Sequence, residues 1–117
     1  VIQGIGIDIT EIARFERMNN KKAFLEQVFT DDEVNNGEHT HTKNKYWARL
    51  FAIKEALFKA FKTGLQHGSY WHDITIKNDF TVTLSGCFRN FFNESTKVCV
   101  SHSCSKKYAV SIAFIQQ

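Results

Sequence analysis

Apolar residues alternate with glycine or polar residues over positions 2–9, IQGIGIDI, and this period of two predicts a strand. The pattern changes after Thr10, a residue type that caps helices, so EIARFERM predicts a helix starting there. A second helical piece is predicted from Lys21 to Phe29. Thr30-Asp-Asp-Glu33 has the spacing of a capping box and opens a third, short one. Asn35 to Asn44 is polar, contains Gly37, His39 and His41, and reads as a loop with solvated histidines.

The longest predicted helix runs from about Lys45 to Lys62, with Leu50, Ile53, Leu57 and Phe61 forming an apolar stripe. Phe51, Phe58, Ala48, Ala52 and Ala56 lie outside that stripe, so the helix is apolar nearly all round. Such a helix is buried on more than one side; in a chain this short, the expected second cover is a neighbouring subunit or a bound ligand. Gly64 stands where a helix end favours a left-handed residue. Tyr70 to Lys77 and Phe80 to Leu84 then read as short strands about an Asn78-Asp79 turn. Ser85 to Asn93 reads as a helix capped by Ser85, and Thr96 to His102 and Tyr108 to Ile115 as strands joined through Ser105-Lys106-Lys107. Helices followed by hairpins predict an α+β fold, a largely antiparallel sheet packed on a long central helix, in a single domain over 1–117.

Composition narrows the functional classes. The chain has 117 residues, 43% of them hydrophobic and 23% charged, globular values that exclude a disordered chain. No apolar run approaches the ~18 residues of a membrane span. Val1 to Asp8 shows neither a basic n-region nor a small-residue cleavage site, so a secretory signal is not expected. The formal charge of +3 suits a phosphate-bearing ligand or an acidic partner without selecting either. Cys87, Cys99 and Cys104 are odd in number and form no CxxC pair, which fits a reducing, cytoplasmic setting and no disulfide framework. A Cys99–His102–Cys104 metal cluster lacks the second paired motif that zinc sites use.

Two carboxylates stand in apolar company: Asp8 at the end of GIGID, and Glu55 in mid-helix beside Phe51 and Ala52. Magnesium takes one or two protein carboxylates and completes its shell with phosphate and water. Lys59 lies one turn beyond Glu55, so the alternative is an ordinary i, i+4 surface pair. Gly4 and Gly6 fit a phosphate loop or, equally well, close backbone packing within a strand. The stretch from Thr63 to Ser69, with Gly64, Gly68 and hydroxyls, reads as a phosphate cradle or a plain connection. His102 at a strand end suits a phosphate contact or a turn. Arg14, Arg17 and Lys21 recur at spacings of three and four, a basic stripe that is either solvated or docks an acidic partner.

GIGIDITEIARFE over 4–16, FAIKEALFKA over 51–60, TGLQHGSYWHDITI, and SHSCSKKYAVSIAF follow one another in an order and spacing that resembles the small holo-[acyl-carrier-protein] synthases. These are 4′-phosphopantetheinyl transferases, and the matched segments cover roughly half the chain. The resemblance implies transfer of phosphopantetheine from coenzyme A to a serine of apo acyl carrier protein, with release of adenosine 3′,5′-bisphosphate. It implies Mg²⁺, a homotrimer, and active sites between neighbouring subunits. By position, Asp8 and Glu55 match the metal-binding carboxylates, and Lys59 a lysine near the coenzyme A phosphates. His102 matches a residue near the coenzyme A site, and Arg14 the arginine that meets the acidic carrier; Lys54, the lysine of KEA, carries no implied role.

Two places depart from the family pattern. Leu50 stands where the family usually has arginine, with Arg49 one residue earlier and so turned by about 100° on the helix. A proline usual in the hairpin before the late helix is absent. The rival reading is a non-catalytic basic α+β module that stacks a nucleotide or RNA segment on Tyr70, Trp71 and Phe80; the scattered lysines favour no nucleic-acid partner.

Overall fold

The computed structural model describes residues 1–62, 71–91 and 93–117. Strand β1 (Ile2–Glu11) leads into α1 (Ala13–Arg17), α2 (Lys21–Val28), α3 (Asp31–Glu38) and the long α4 (Lys43–Ala60). A 3₁₀ turn at Trp71–Asp73 precedes β2 (Ile74–Ile76) and β3 (Val82–Leu84), and a second at Gly86–Phe91 precedes β4 (Lys97–Cys104) and β5 (Tyr108–Gln116). β1, β5 and β4 form an antiparallel sheet in that order, while β2 and β3 pair separately. The α+β architecture is the one expected, with α4 lying across β1 and β5.

Glycine sets how closely helix and sheet meet. A Cβ on Gly6 would run into the carbonyl of Ala56 and come within 2.6 Å of the Ala60 nitrogen; one on Gly4 would meet the carbonyl of Ala60. Gly4 and Gly6 are therefore packing residues, not a phosphate loop. From Gly4 onward the even-numbered β1 residues face α4, and the odd ones, Ile5, Ile7 and Ile9, face outward and are more than half exposed. Register pairs them with Phe114, Ile112 and Val110 on β5, so one apolar patch covers the outer face of β1 and β5.

Several expectations are corrected by pairing. Thr10 caps no helix: β1 continues to Glu11 opposite Tyr108, and the Ile12 N–H donates to the Lys107 carbonyl at 2.9 Å. The segment 35–38 is helical, because Gly37 receives the Trp47 ring. α4 is covered on both sides by its own chain: the sheet on one, and on the other an aromatic cluster in which Phe51 contacts Phe15, Phe24 and Trp71. No subunit or ligand is needed there. The left-handed residue after α4 is Lys62, at φ 59°. The stretch after Ser85 is a 3₁₀ helix whose Cys87 N–H donates to the Asp73 carboxylate at 3.0 Å, so Asp73 is the cap and Ser85 is not.

Candidate active site

The strand–helix contact brings the two isolated carboxylates together. Asp8 faces α4 from β1, and Glu55 projects from the helix into the same cleft, of about 390 Å³, lined also by Thr10, Arg14, Phe51 and Trp71. Asp8 Oδ1 receives Lys59 Nζ at 3.1 Å, and Oδ2 receives the Thr10 hydroxyl at 2.7 Å. The same ammonium donates to the Ile7 carbonyl at 2.9 Å. Lys59 thus binds across to Asp8 rather than forming the simple helical pair with Glu55. Burial pushes the Glu55 carboxyl above its usual range and the nearby Asp8 charge adds to this, against the opposing pull of Lys59 and Arg14.

The chemistry of the donor set is the test for a cation. Two carboxylates that share one cleft favour a positive charge between them, and among the described residues no cluster of three or more His, Cys, Asp or Glu forms. A donor set of two hard oxygens, open to solvent and phosphate, fits magnesium. Zinc would want more nitrogen or sulfur. Cys99 projects from the opposite face of β4 to His102 and Cys104, so those three do not converge.

Other expected site residues fall elsewhere. Gly64 and Ser69 lie outside the described residues. Arg14 spreads its guanidinium 4.7 Å over the Phe51 ring and lines the cleft, while Arg17 pairs with Glu11 at 3.2 Å on the surface. Lys21 begins the next helix, after left-handed Asn20, and donates to Asn44; the three cations do not form one helical stripe. His102 sits on β4, two strands from Asp8 in the row Asp8–Ser111–His102, and does not line the cleft. Its ring lies 4.7 Å from Phe80, burial and the Arg49 charge lower its pKa, and its buried Nδ1 has no hydrogen-bond partner among the described residues. Leu50 is wholly buried, and Arg49 turns to β4, where Nε donates to Cys104 Sγ at 3.1 Å and the guanidinium covers Phe80. Of the aromatics expected to stack bases, Tyr70 lies outside the described residues, Trp71 is buried and Phe80 half-buried, so neither of the latter two offers a free stacking face.

One polar group escaped sequence reading. Lys54 and Glu33 form an ion pair at 2.7 Å with both side chains fully enclosed. Glu33 was legible only as the capping residue that it also is, accepting the Thr30 N–H at 2.9 Å. A lysine in the middle of an otherwise apolar helix face was the available sign.

Residues 4–113 match the family model of the 4′-phosphopantetheinyl transferase superfamily. The holo-[acyl-carrier-protein] synthase of Vibrio campbellii is 33% identical over 98% of this chain and 98% of that protein. The synthase of Fusobacterium nucleatum is 33% identical over 98% and 99%. A crystal structure of the Bacillus anthracis synthase in complex with CoA (3′,5′-ADP) matches with a TM-score of 0.78 at 32% identity, covering 97% of this chain and 96% of that one. The Helicobacter pylori synthase in complex with coenzyme A matches with a TM-score of 0.78 at 29% identity, over 96% and 99%. The chain belongs to the holo-[acyl-carrier-protein] synthase family.

Proposed function

We propose that the chain, one transferase domain, moves 4′-phosphopantetheine from coenzyme A to a serine of apo acyl carrier protein and releases adenosine 3′,5′-bisphosphate. The meeting of Asp8, Glu55 and Lys59 in one cleft carries this reading, in a chain that matches holo-[acyl-carrier-protein] synthases along nearly its whole length. Asp8 and Glu55 would hold Mg²⁺. Bound there, the ion would neutralise charge on the coenzyme's pyrophosphate. Lys59 stabilises the phosphate that departs as the carrier serine attacks phosphorus. Glu55 or a water molecule in the cleft would take the serine proton.

The carrier is proposed to dock at the open groove beside the cleft that Arg14, Arg17 and Phe24 line, with Lys21 a further cation at the start of the next helix. The outer sheet face of Ile5, Ile7, Ile9, Val110 and Ile112 would bury itself in a homotrimer. Assembly also gives His102 and Arg49 a use. They lie outside their own chain's cleft, and would meet coenzyme A held at a neighbour's cleft; Gly64 and Ser69 are proposed as further coenzyme A-binding residues. The unpaired thiols of Cys87, Cys99 and Cys104 support a cytoplasmic setting, and no helix among the described residues is long and apolar enough to cross a membrane.

The test is incubation with apo acyl carrier protein, coenzyme A and Mg²⁺, followed by intact mass of the carrier. A phosphopantetheine mass gain that EDTA abolishes supports the reading; no gain across several carriers, from folded enzyme, refutes it.

A further inference from the structure

Behind the cleft lies the enclosed ion pair that the proposed chemistry does not use. Lys54 Nζ donates to Glu33 Oε1 at 2.7 Å, to the Val28 carbonyl at 2.9 Å and to the Trp71 carbonyl at 3.2 Å. An ammonium has three protons to donate, so every one is used. Glu33 in turn receives the Ile76 N–H at 2.7 Å on its other oxygen. Val28 and Trp71 are walls of the cleft that holds Asp8 and Glu55, and Glu55 is the next residue along α4. The Trp71 ring stacks on Phe51 at 5.4 Å, and Phe51 in turn carries the Arg14 guanidinium. One buried charge therefore grips, from the rear, the main chain whose front faces the carboxylates.

Stability alone accounts poorly for this arrangement. Enclosing two charges is costly, and apolar side chains of similar size often serve a core as well or better. Phe58 and Phe51 already hold the Trp71 ring by contact. What an apolar side chain cannot do is fix two carbonyl oxygens at hydrogen-bonding distance from the helix that carries Glu55.

We propose that Lys54 is a positioning residue for coenzyme A: through the Val28 and Trp71 carbonyls it sets the wall against which the coenzyme's phosphates meet Asp8, Glu55 and Lys59. The inference rests on the transferase reading above. Lys54 touches no substrate; it acts through the wall.

The test compares the unaltered enzyme with Lys54→Met/Glu33→Gln, which removes both charges together, and with Glu33→Gln, which leaves the ammonium on Val28 and Trp71. Transfer is followed by intact mass well below each melting temperature, and KM is measured separately for coenzyme A and for the carrier. A loss of folded enzyme lowers apparent kcat and leaves both KM values in place. The double variant is expected to raise KM for coenzyme A by about tenfold while KM for the carrier stays within about twofold. Glu33→Gln is expected to melt earlier yet shift KM for coenzyme A by no more than about twofold. An unchanged coenzyme A KM in the folded double variant overturns the proposal. So does a parallel rise in both KM values, or a rise with Glu33→Gln equal to that of the double variant. If the double variant does not fold, Trp47→Phe leaves Trp71 as the sole tryptophan, and its emission is followed as coenzyme A and Mg²⁺ are added. A change on binding supports the wall, and unchanged emission with coenzyme A bound by calorimetry overturns it. Absence of transfer by the unaltered enzyme is a different failure, that of the transferase reading.

Discussion

Glu55→Gln separates what the cleft needs for chemistry from what the fold needs for stability. In the metal-free protein, burial and the Asp8 charge raise the Glu55 carboxyl above its ordinary value of 4.5. A carboxyl raised on folding contributes stability that is fully present below the unfolded value and is lost as pH rises through the folded one. At pH 7 the ionised group therefore works against the fold, and a neutral amide of the same shape relieves it. Glu55 is only partly buried, so the relief belongs with screened charge interactions, a few tenths to about 1 kcal/mol. In a domain of this size about 1 kcal/mol moves the melting temperature by about 4 °C, so the variant should melt about 1–4 °C higher in EDTA at pH 7. At pH 4 and below the two proteins should melt together, because the carboxyl is then protonated in both states. Turnover should fall by about 100-fold or more, the scale of losing one preorganised electrostatic partner. Magnesium with coenzyme A should stabilise the unaltered enzyme by mass action and the variant much less. Melting curves in EDTA at both pH values and carrier mass decide it. A lower melting point at pH 7, a gain independent of pH, or retained turnover would refute the reasoning.

Gly6→Ala places a methyl against the Ala56 carbonyl and should cost about 1–3 kcal/mol by denaturant melt; enzyme that remains folded should be nearly inactive, since Asp8 moves off Glu55. Lys59→Ala removes an ion pair whose lysine is 49% exposed, so stability should change by less than about 1 kcal/mol while carrier modification slows by about 100-fold; equal losses in both would argue against a role in charge stabilisation. Ile7→Glu sets a charge in the outer apolar patch, and light scattering should report monomer in place of trimer, with transfer lost through the missing His102 and Arg49 of a neighbour. A trimer that persists would place the interface elsewhere.

Local pattern was legible wherever it agreed with tertiary demand. Alternation over 2–9 gave β1 and the Thr30–Glu33 spacing gave a real capping box, whereas the pattern of Asp8 and Glu55 left a surface pair open and only the family resemblance implied that they share a site. What escaped depended on partners distant in sequence. Thr10 has the chemistry of a cap, but Tyr108 and Lys107 extend the strand past it. Positions 35–38 look like a loop because their polarity hides the socket that Gly37 makes for Trp47. The all-round apolar pattern of α4 points to a neighbouring subunit or a bound ligand as its second cover, whereas α1 and α2 supply it through Phe15 and Phe24. Lys54 and Glu33 are separated by 21 positions, and neither residue alone announces the other.

The two faces of β1 carry different obligations. Its even positions, Gly4, Gly6 and Asp8, admit the helix and present a carboxylate, while its odd positions, Ile5, Ile7 and Ile9, form the bare outer patch. Slipping a strand by one residue exchanges its faces wholesale. A misthreaded β1 would drive isoleucines into the Ala56 and Ala60 backbone and turn Asp8 to the outside. No half-right version survives in which the cleft is wrong but the sheet still closes on α4, so the strand proofreads its own threading.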